Sequence, residues 1–228
     1  MKRIALLMTF ALALSSCQFV TINPNMISQS AIRCGGEVET RSFDLSGFQS
    51  IRVYGRAEVK LAQGDSYSVS VSANEEVFQY LDYEVVDGVL NIQNKDRVQF
   101  RSETHYVVYV QAPVLTQVKV NGAGDLNLMG YQSDTPFDIQ VNGAGDIDLT
   151  AVQVPSLQIE VNGAGDIEAE SLDVEELSVE VNGAGDAKLS GRATNAKFKI
   201  AGAGDIDARG LQTEHVDVNK AGAGRVRY

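Results

Sequence analysis

Asn121-Gly122-Ala123-Gly124-Asp125 returns as Asn142-Gly143-Ala144-Gly145-Asp146, Asn162-Gly163-Ala164-Gly165-Asp166 and Asn182-Gly183-Ala184-Gly185-Asp186. Two more copies, Ala201-Gly202-Ala203-Gly204-Asp205 and Ala221-Gly222-Ala223-Gly224-Arg225, continue the series. The copies start 21, 20, 20, 19 and 20 residues apart. A period near 20 residues is the signature of a solenoid, in which each repeat buries its apolar side only by stacking on its neighbours. Leu157, Ile159 and Val161 alternate with polar residues before one turn, and Ile147 and Leu149 alternate after another. Such alternation predicts two short strands per repeat with their apolar faces in a shared interior. A second corner is expected at Gly130-Tyr131-Gln132-Ser133 and Ser190-Gly191-Arg192. Six coils stacked at about 4.8 Å would span about 29 Å.

The turns explain their own composition. Asn-Gly readily adopts positive φ, and a glycine leaves no Cβ to collide where identical corners stack. Gly122, Gly124, Gly143, Gly145, Gly163, Gly165, Gly183, Gly185, Gly202, Gly204, Gly222 and Gly224 are therefore read as structural turn residues. Upstream, Phe48-Gln49-Ser50-Ile51-Arg52-Val53-Tyr54-Gly55 aligns with Leu115-Thr116-Gln117-Val118-Lys119-Val120-Asn121-Gly122, and Arg56–Leu61 aligns with Ala123–Leu128. Asp87-Gly88 separates two apolar runs as a tight turn, and residues 74–81 are less strand-like, fitting a short helical turn. Residues 41–228 thus read as one continuous all-β domain, a right-handed parallel β-helix or two-sheeted β-solenoid.

The Phe48–Gly55 entry, Gln63-Gly64-Asp65, Asp87-Gly88-Val89-Leu90, Ala112-Pro113 and the glycine–small–glycine turns resemble the head GIN domain family of adhesin-like proteins. The resemblance covers nearly all of residues 43–228. It implies a two-sheeted β-helix similar to pectin-lyase-type solenoids, export as a lipoprotein, and a suggested role in cell adhesion. The family defines no catalytic or ligand residues, so none carries over.

The N-terminus carries an address. Lys2 and Arg3 precede an apolar run from Ile4 to Leu14 that is too short for a permanent span. Leu14-Ser15-Ser16-Cys17 then resembles the lipobox of bacterial lipoproteins, which implies cleavage before Cys17 and acylation of its thiol. Gln18 is not the aspartate associated with inner-membrane retention, which points to the outer membrane of a Gram-negative bacterium. Residues 1–16 are read as signal peptide and residues 17–40, with Asn23-Pro24-Asn25 and Gly35-Gly36, as a lipidated, flexible tether. Loss of Lys2 and Arg3 takes the formal charge from −11 to −13. That charge repels phosphate backbones and argues against nucleic-acid partners. Cys34 is then the one remaining thiol, so neither an intramolecular disulfide nor a cysteine metal cage is expected.

Asp125, Asp146, Asp166, Asp186 and Asp205 should form a column, one carboxylate per coil. Carboxylates about 4 Å apart repel by about 1 kcal/mol in water. They are expected to accept backbone N–H bonds at their own corners. The competing reading is a calcium ladder, since calcium favours clustered carboxylate oxygens. Arg225, in place of the last aspartate, could face Asp205. Asn121, Asn142, Asn162 and Asn182 should stack as an amide ladder. His105 and His215 lie in no catalytic motif, and no Walker loop, Gly-x-Ser-x-Gly or metal-spaced histidine pair occurs. The expectation is a non-enzymatic, surface-tethered solenoid without a cofactor or bound metal, an adhesin-like or envelope scaffold engaging a glycan or protein partner, with self-association left open. A carbohydrate-binding or carbohydrate-active solenoid is the alternative. The anchor is tested by Cys17→Ala, which should release the protein into soluble fractions or block its maturation. Unchanged membrane partitioning of an unacylated chain would refute it.

Overall fold

The computed structural model describes residues 31–95 and 98–228. The lipobox, Cys17 and residues 18–30 of the expected tether lie outside the described residues. The repeats form parallel strands in strict register: β8 (Gln117–Gly122), β10 (Phe137–Gly143), β11 (Ile147–Gly163), β12 (Ile167–Gly183), β13 (Ala187–Gly202) and β14 (Ile206–Gly222). Gly122, Gly143, Gly163, Gly183, Gly202 and Gly222 stand one above another in that register. The result is a β-solenoid. Its wall is one 15-stranded sheet that curls around an aliphatic core.

Burial along one coil shows how the wall bends. In β11 the buried positions are Ile147 and Leu149, then Val152 and Val154, then Leu157, Ile159 and Val161. Alternation slips phase at Thr150-Ala151 and again at Pro155-Ser156, so the expected second corner is two changes of direction within a continuous strand. Ala151 makes the first bend with φ 55°, and Ser171 repeats it one coil on with φ 57°. Gly130 does the same with φ 68° in β9 (Leu126–Gln132), whose Met129 pairs with Thr150. A left-handed conformation strains a residue that bears a Cβ. The 19-residue spacing has a local cause here as well. Ala169 and Leu172 of β12 pair with Leu189 and Gly191 of β13, so the shorter coil opposes one residue, Ser190, to two.

The first coil is β2 (Ser50–Gly55) and β3 (Glu58–Gln63). Ser50 pairs with Gln117, Gly55 with Gly122 and Val59 with Leu126, the same offset that the sequence alignment gives. Between the first coil and β8 the chain builds an end structure. There β6 (Val89–Asn94) lies parallel to β2, and β7 (Tyr106–Ala112) lies parallel to β3. Antiparallel to these run β5 (Leu81–Val86) against β6, β4 (Ser68–Asn74) against β7 and β1 (Val38–Phe43) against β4. Asp87 (φ 50°) and Gly88 (φ 75°) turn the β5–β6 hairpin, and a 3-10 turn covers Glu75–Tyr80. Phe43, Tyr80, Tyr83, Phe100 and Tyr106 pack over this end.

The tether expectation fails for residues 32–40. Ile32 bridges Phe100, Val38–Thr40 belong to β1 and Cys34 is buried in the core. Ile32 and Cys34 contribute apolar surface that the end structure covers, which outweighs the irregular, glycine-containing composition around them. At the other end, Thr213 and Lys220 of β14 occupy the places of Ala193 and Ile200. Lys220 is exposed, and a charged side chain on the last long strand discourages edge-to-edge pairing.

Glycine corners show two different prohibitions. Gly163 has φ 154°, a region that L side chains rarely adopt. Gly165 has no such φ, yet a Cβ there would lie 1.9 Å from the backbone oxygen of Gly145. Gly165→Ala should therefore cost at least about 2 kcal/mol in a urea titration, because backbone must move on two coils. Ser171→Gly should instead stabilise by about 0.5–1 kcal/mol, or about 1–4 °C in melting temperature, by relieving the left-handed bend. A Gly165→Ala protein as stable as its parent would contradict the close stacking.

Candidate functional site

The polar surface at the glycine corners consists of columns of like residues, one per coil. Asn142 Nδ2 donates to Asn121 Oδ1 (3.1 Å), Asn162 to Asn142 (3.0 Å) and Asn182 to Asn162 (2.9 Å). Asn162 and Asn182 also donate to Glu160 and Glu180, each at 2.8 Å. An amide carries both donor and acceptor, so identical amides satisfy each other when stacked.

The aspartates form the neighbouring column, and their bonds run between coils rather than within a corner. Asp125 Oδ1 accepts the Asp146 N–H (3.1 Å), Asp146 that of Asp166 (2.9 Å), and Asp166 that of Asp186 (2.8 Å). Asp186 accepts the Asp205 N–H at 2.8 Å, and Asp205 accepts that of Arg225 at 2.8 Å. The Arg225 guanidinium closes the column on Asp205 Oδ2, its Nε at 3.1 Å, and holds the Asp205 carboxyl below the usual range. Each backbone N–H is thus stabilised by the carboxylate beneath it, which offsets the repulsion along the stack.

A second column two residues on was not singled out from the sequence, although the recurring Asp-x-Asp and Asp-x-Glu spacing marks it. It comprises Asn127, Asp148, Glu168, Lys188, Asp207 and Arg227. Partial burial, with Glu168, Asp146 and Asp125 nearby, raises the Asp148 pKa. Arg209 bonds Asp207 and lowers its pKa to about 2. Lys188 pairs with Glu168. Opposite charges therefore interrupt the acidic run, and among the described residues no group of three or more His, Cys, Asp or Glu side chains is arranged to hold a metal ion.

Elsewhere His105 Nε2 lies 3.0 Å from Ser72 Oγ, on the exposed side of β4. Among the described residues no carboxylate hydrogen-bonds that ring, so the pair lacks the orienting group of a catalytic triad. His215 is exposed. Burial and Glu76 raise the Cys34 pKa, which keeps this thiol from ionising. Sequence reasoning also missed Asn94. It is 8% exposed; Nδ2 donates to Val98 O (3.0 Å), while the solvent-inaccessible Oδ1 has no partner among the described residues. An unsatisfied buried acceptor costs about 1–3 kcal/mol. No sequence signal marks it, because β6 reads like any other strand.

The aspartate column supports a direct test. Millimolar calcium should shift the melting temperature no more than matched ionic strength does. Replacing Asp146, Asp166 and Asp186 together by Asn should leave stability equal or slightly higher, since the amide Oδ1 still accepts the N–H and the repulsion is gone. A cation at 100 times its dissociation constant would instead stabilise by about 2.7 kcal/mol. Such a calcium-specific gain, lost in the triple variant, would overturn the turn-acceptor reading.

The family model described as putative auto-transporter adhesin, head GIN domain, matches residues 47–171 and 139–228. No curated protein matches the chain by sequence. Among solved structures, a putative lipid-binding protein from Parabacteroides distasonis is 21% identical, with a TM-score of 0.77 over 87% of this chain and 100% of that one. A putative adhesin from the same organism is 23% identical, with a TM-score of 0.77 over 86% and 83%. A putative adhesin from Bacteroides fragilis is 17% identical, with a TM-score of 0.65 over 86% and 99%. At these identities the likeness establishes a shared fold. Together with the stacked glycine corners, the two overlapping matches to the family model place this chain in the head GIN domain family of putative auto-transporter adhesins.

Proposed function

We propose that this protein is an adhesin-like lipoprotein of the bacterial envelope that presents its solenoid wall as a binding surface. The observation that carries this reading is the columnar display of polar side chains over a core packed with aliphatic residues. Asn, Asp and mixed-charge columns repeat once per coil, at about 4.8 Å. A partner with its own repeat can engage several rungs at once, and multivalent contact raises avidity without any single strong site. Family membership supports the adhesive role. The names of the solved relatives are compatible with it, two being called adhesins and one a lipid-binding protein.

Surface attachment rests on Leu14-Ser15-Ser16-Cys17 and on the leader before it. Among the described residues no helix is long and apolar enough to cross a membrane. A lipid at Cys17 with about 14 residues of chain before the folded body would hold the solenoid close to the bilayer. Two acyl chains would make the attachment firm, where a single chain binds only marginally.

The test is adhesion of a non-adherent Gram-negative strain displaying the full chain, over immobilised matrix proteins, mucins and glycans. Display should raise adhesion to at least one surface at least about threefold over the empty strain, and added soluble residues 31–228 should compete it away. Adhesion no greater than that of the empty strain on every surface would refute the reading.

A further inference from the structure

Beside the asparagine ladder runs another outward column. In it Arg52, Lys119, Gln140, Glu160 and Glu180 stand on five consecutive strands, each next to the one before. The residues flanking them in sequence, such as Val118 and Val120 or Ile159 and Val161, are buried, so these five side chains face outward. Their charges read plus, plus, neutral, minus, minus. Gln140 is the centre, and each half carries the sign that the other lacks. Like charges on neighbouring strands are unfavourable. Among the described residues Arg52, Lys119 and Glu160 make no ion pair, and Glu180 pairs only with Lys199 on the next strand.

The columns on either side are polar. On one side Asn121, Asn142 and Asn162 each accept one N–H through Oδ1, which leaves every one of these oxygens a second lone pair. On the other side stand Gln117, Asp138, Gln158 and Ser178. The wall is large enough for a specific contact. Five residues of width at about 3.3 Å each, over nine strands from β5 to β14 at about 4.8 Å, make a face of about 700 Å². A standard specific interface buries about 800 Å² on each partner.

We propose that this wall binds a second copy of the same chain, antiparallel, about a two-fold axis through Gln140. A two-fold contact requires a patch complementary to itself, and this column is such a patch. Lys119 of each copy meets Glu160 of the other, and Arg52 meets Glu180. Walls stacked about 10 Å apart leave room for a lysine from one and a glutamate from the other. The axis also lays each flanking column over its opposite, so the Gln158 amide of one copy faces Asn121 of the other and Gln117 faces Asn162. A shift of one strand sets Arg52 against Lys199 in one direction and Lys119 against Gln140 in the other. Of these three registers only the centred one gives both cations a carboxylate. The contact is wall on wall and uses no strand edge. It rests on the register of the coils and not on the adhesive reading.

The experiment is sedimentation velocity of the purified full chain in a density-matched non-ionic detergent. At about 50 μM the parent should sediment as a dimer, since interfaces of this size bind at micromolar affinity or tighter. Lys119→Glu and Glu160→Lys each turn two attractions across the axis into two repulsions. Either alone should weaken association at least about tenfold, with the melting temperature unchanged. A one-to-one mixture of the two variants should recover the parent's affinity, because each chain then offers the charge that the other needs. A role within a single chain would not be rescued by mixing. A monomeric parent at about 50 μM, single variants that associate as tightly as the parent, or a mixture no tighter than its components would each overturn the proposal. The adhesion assay reads foreign surfaces and sedimentation reads self-pairing, so either can fail alone.

Discussion

Everything in this molecule depends on how closely successive glycine corners approach. The Ala164 N–H donates to Gly143 O at 2.9 Å, Ala184 to Gly163 and Ala203 to Gly183 at the same distance. A Cβ at Gly143, Gly163 or Gly183 would fall within 1.8 Å of the carbonyl oxygen one coil below. This contact fixes the register of every coil, and a slip of one residue would turn the aliphatic core outward. The buried Ile, Leu and Val positions follow from it, as do the ladders outside.

Strict register stacks like on like, and residue chemistry decides whether that helps. Aliphatic side chains gain by it through burial, at about 25 cal/mol per Å² of apolar surface. Asparagine gains because an amide complements itself. Aspartate loses by repulsion, so each carboxylate is tied to the N–H above it, and the column ends on Arg225. In the next column, where no backbone donor compensates in the same way, Lys188 and Arg227 alternate with Glu168 and Asp207. Ala151 and Ser171 show the opposite compromise, a strained backbone kept so that the wall can bend.

The two ends of the solenoid differ. One end is wrapped by antiparallel strands and an aromatic cluster in which Tyr83 and Tyr106 share a 2.6 Å hydrogen bond. Burial raises both phenol pKa values, so the pair stays neutral and seals that end. At the other end Thr213 and Lys220 pair with the buried Ala193 and Ile200, and Lys220 is exposed.

The sequence by itself determined the solenoid, its period, the stacked Asn and Asp columns, the Asp87-Gly88 hairpin and the pairing of residues 48–61 with 115–128. These were legible because stacking makes local pattern and tertiary neighbour the same thing: a residue 20 positions away is also the one above. Only the tertiary structure decided where non-periodic segments go. Ile32 and Cys34 looked like tether because nothing nearby in sequence covers them; Phe100, 68 residues beyond Ile32, lies beside it across a bridge. The bend at Ala151 carries no glycine signal, since the neighbouring coils impose it. The carboxylates accept from the coil above rather than from their own turn because strict stacking sets that N–H over each one. Asn94 is buried where β6 leaves β2, and no period records that parting.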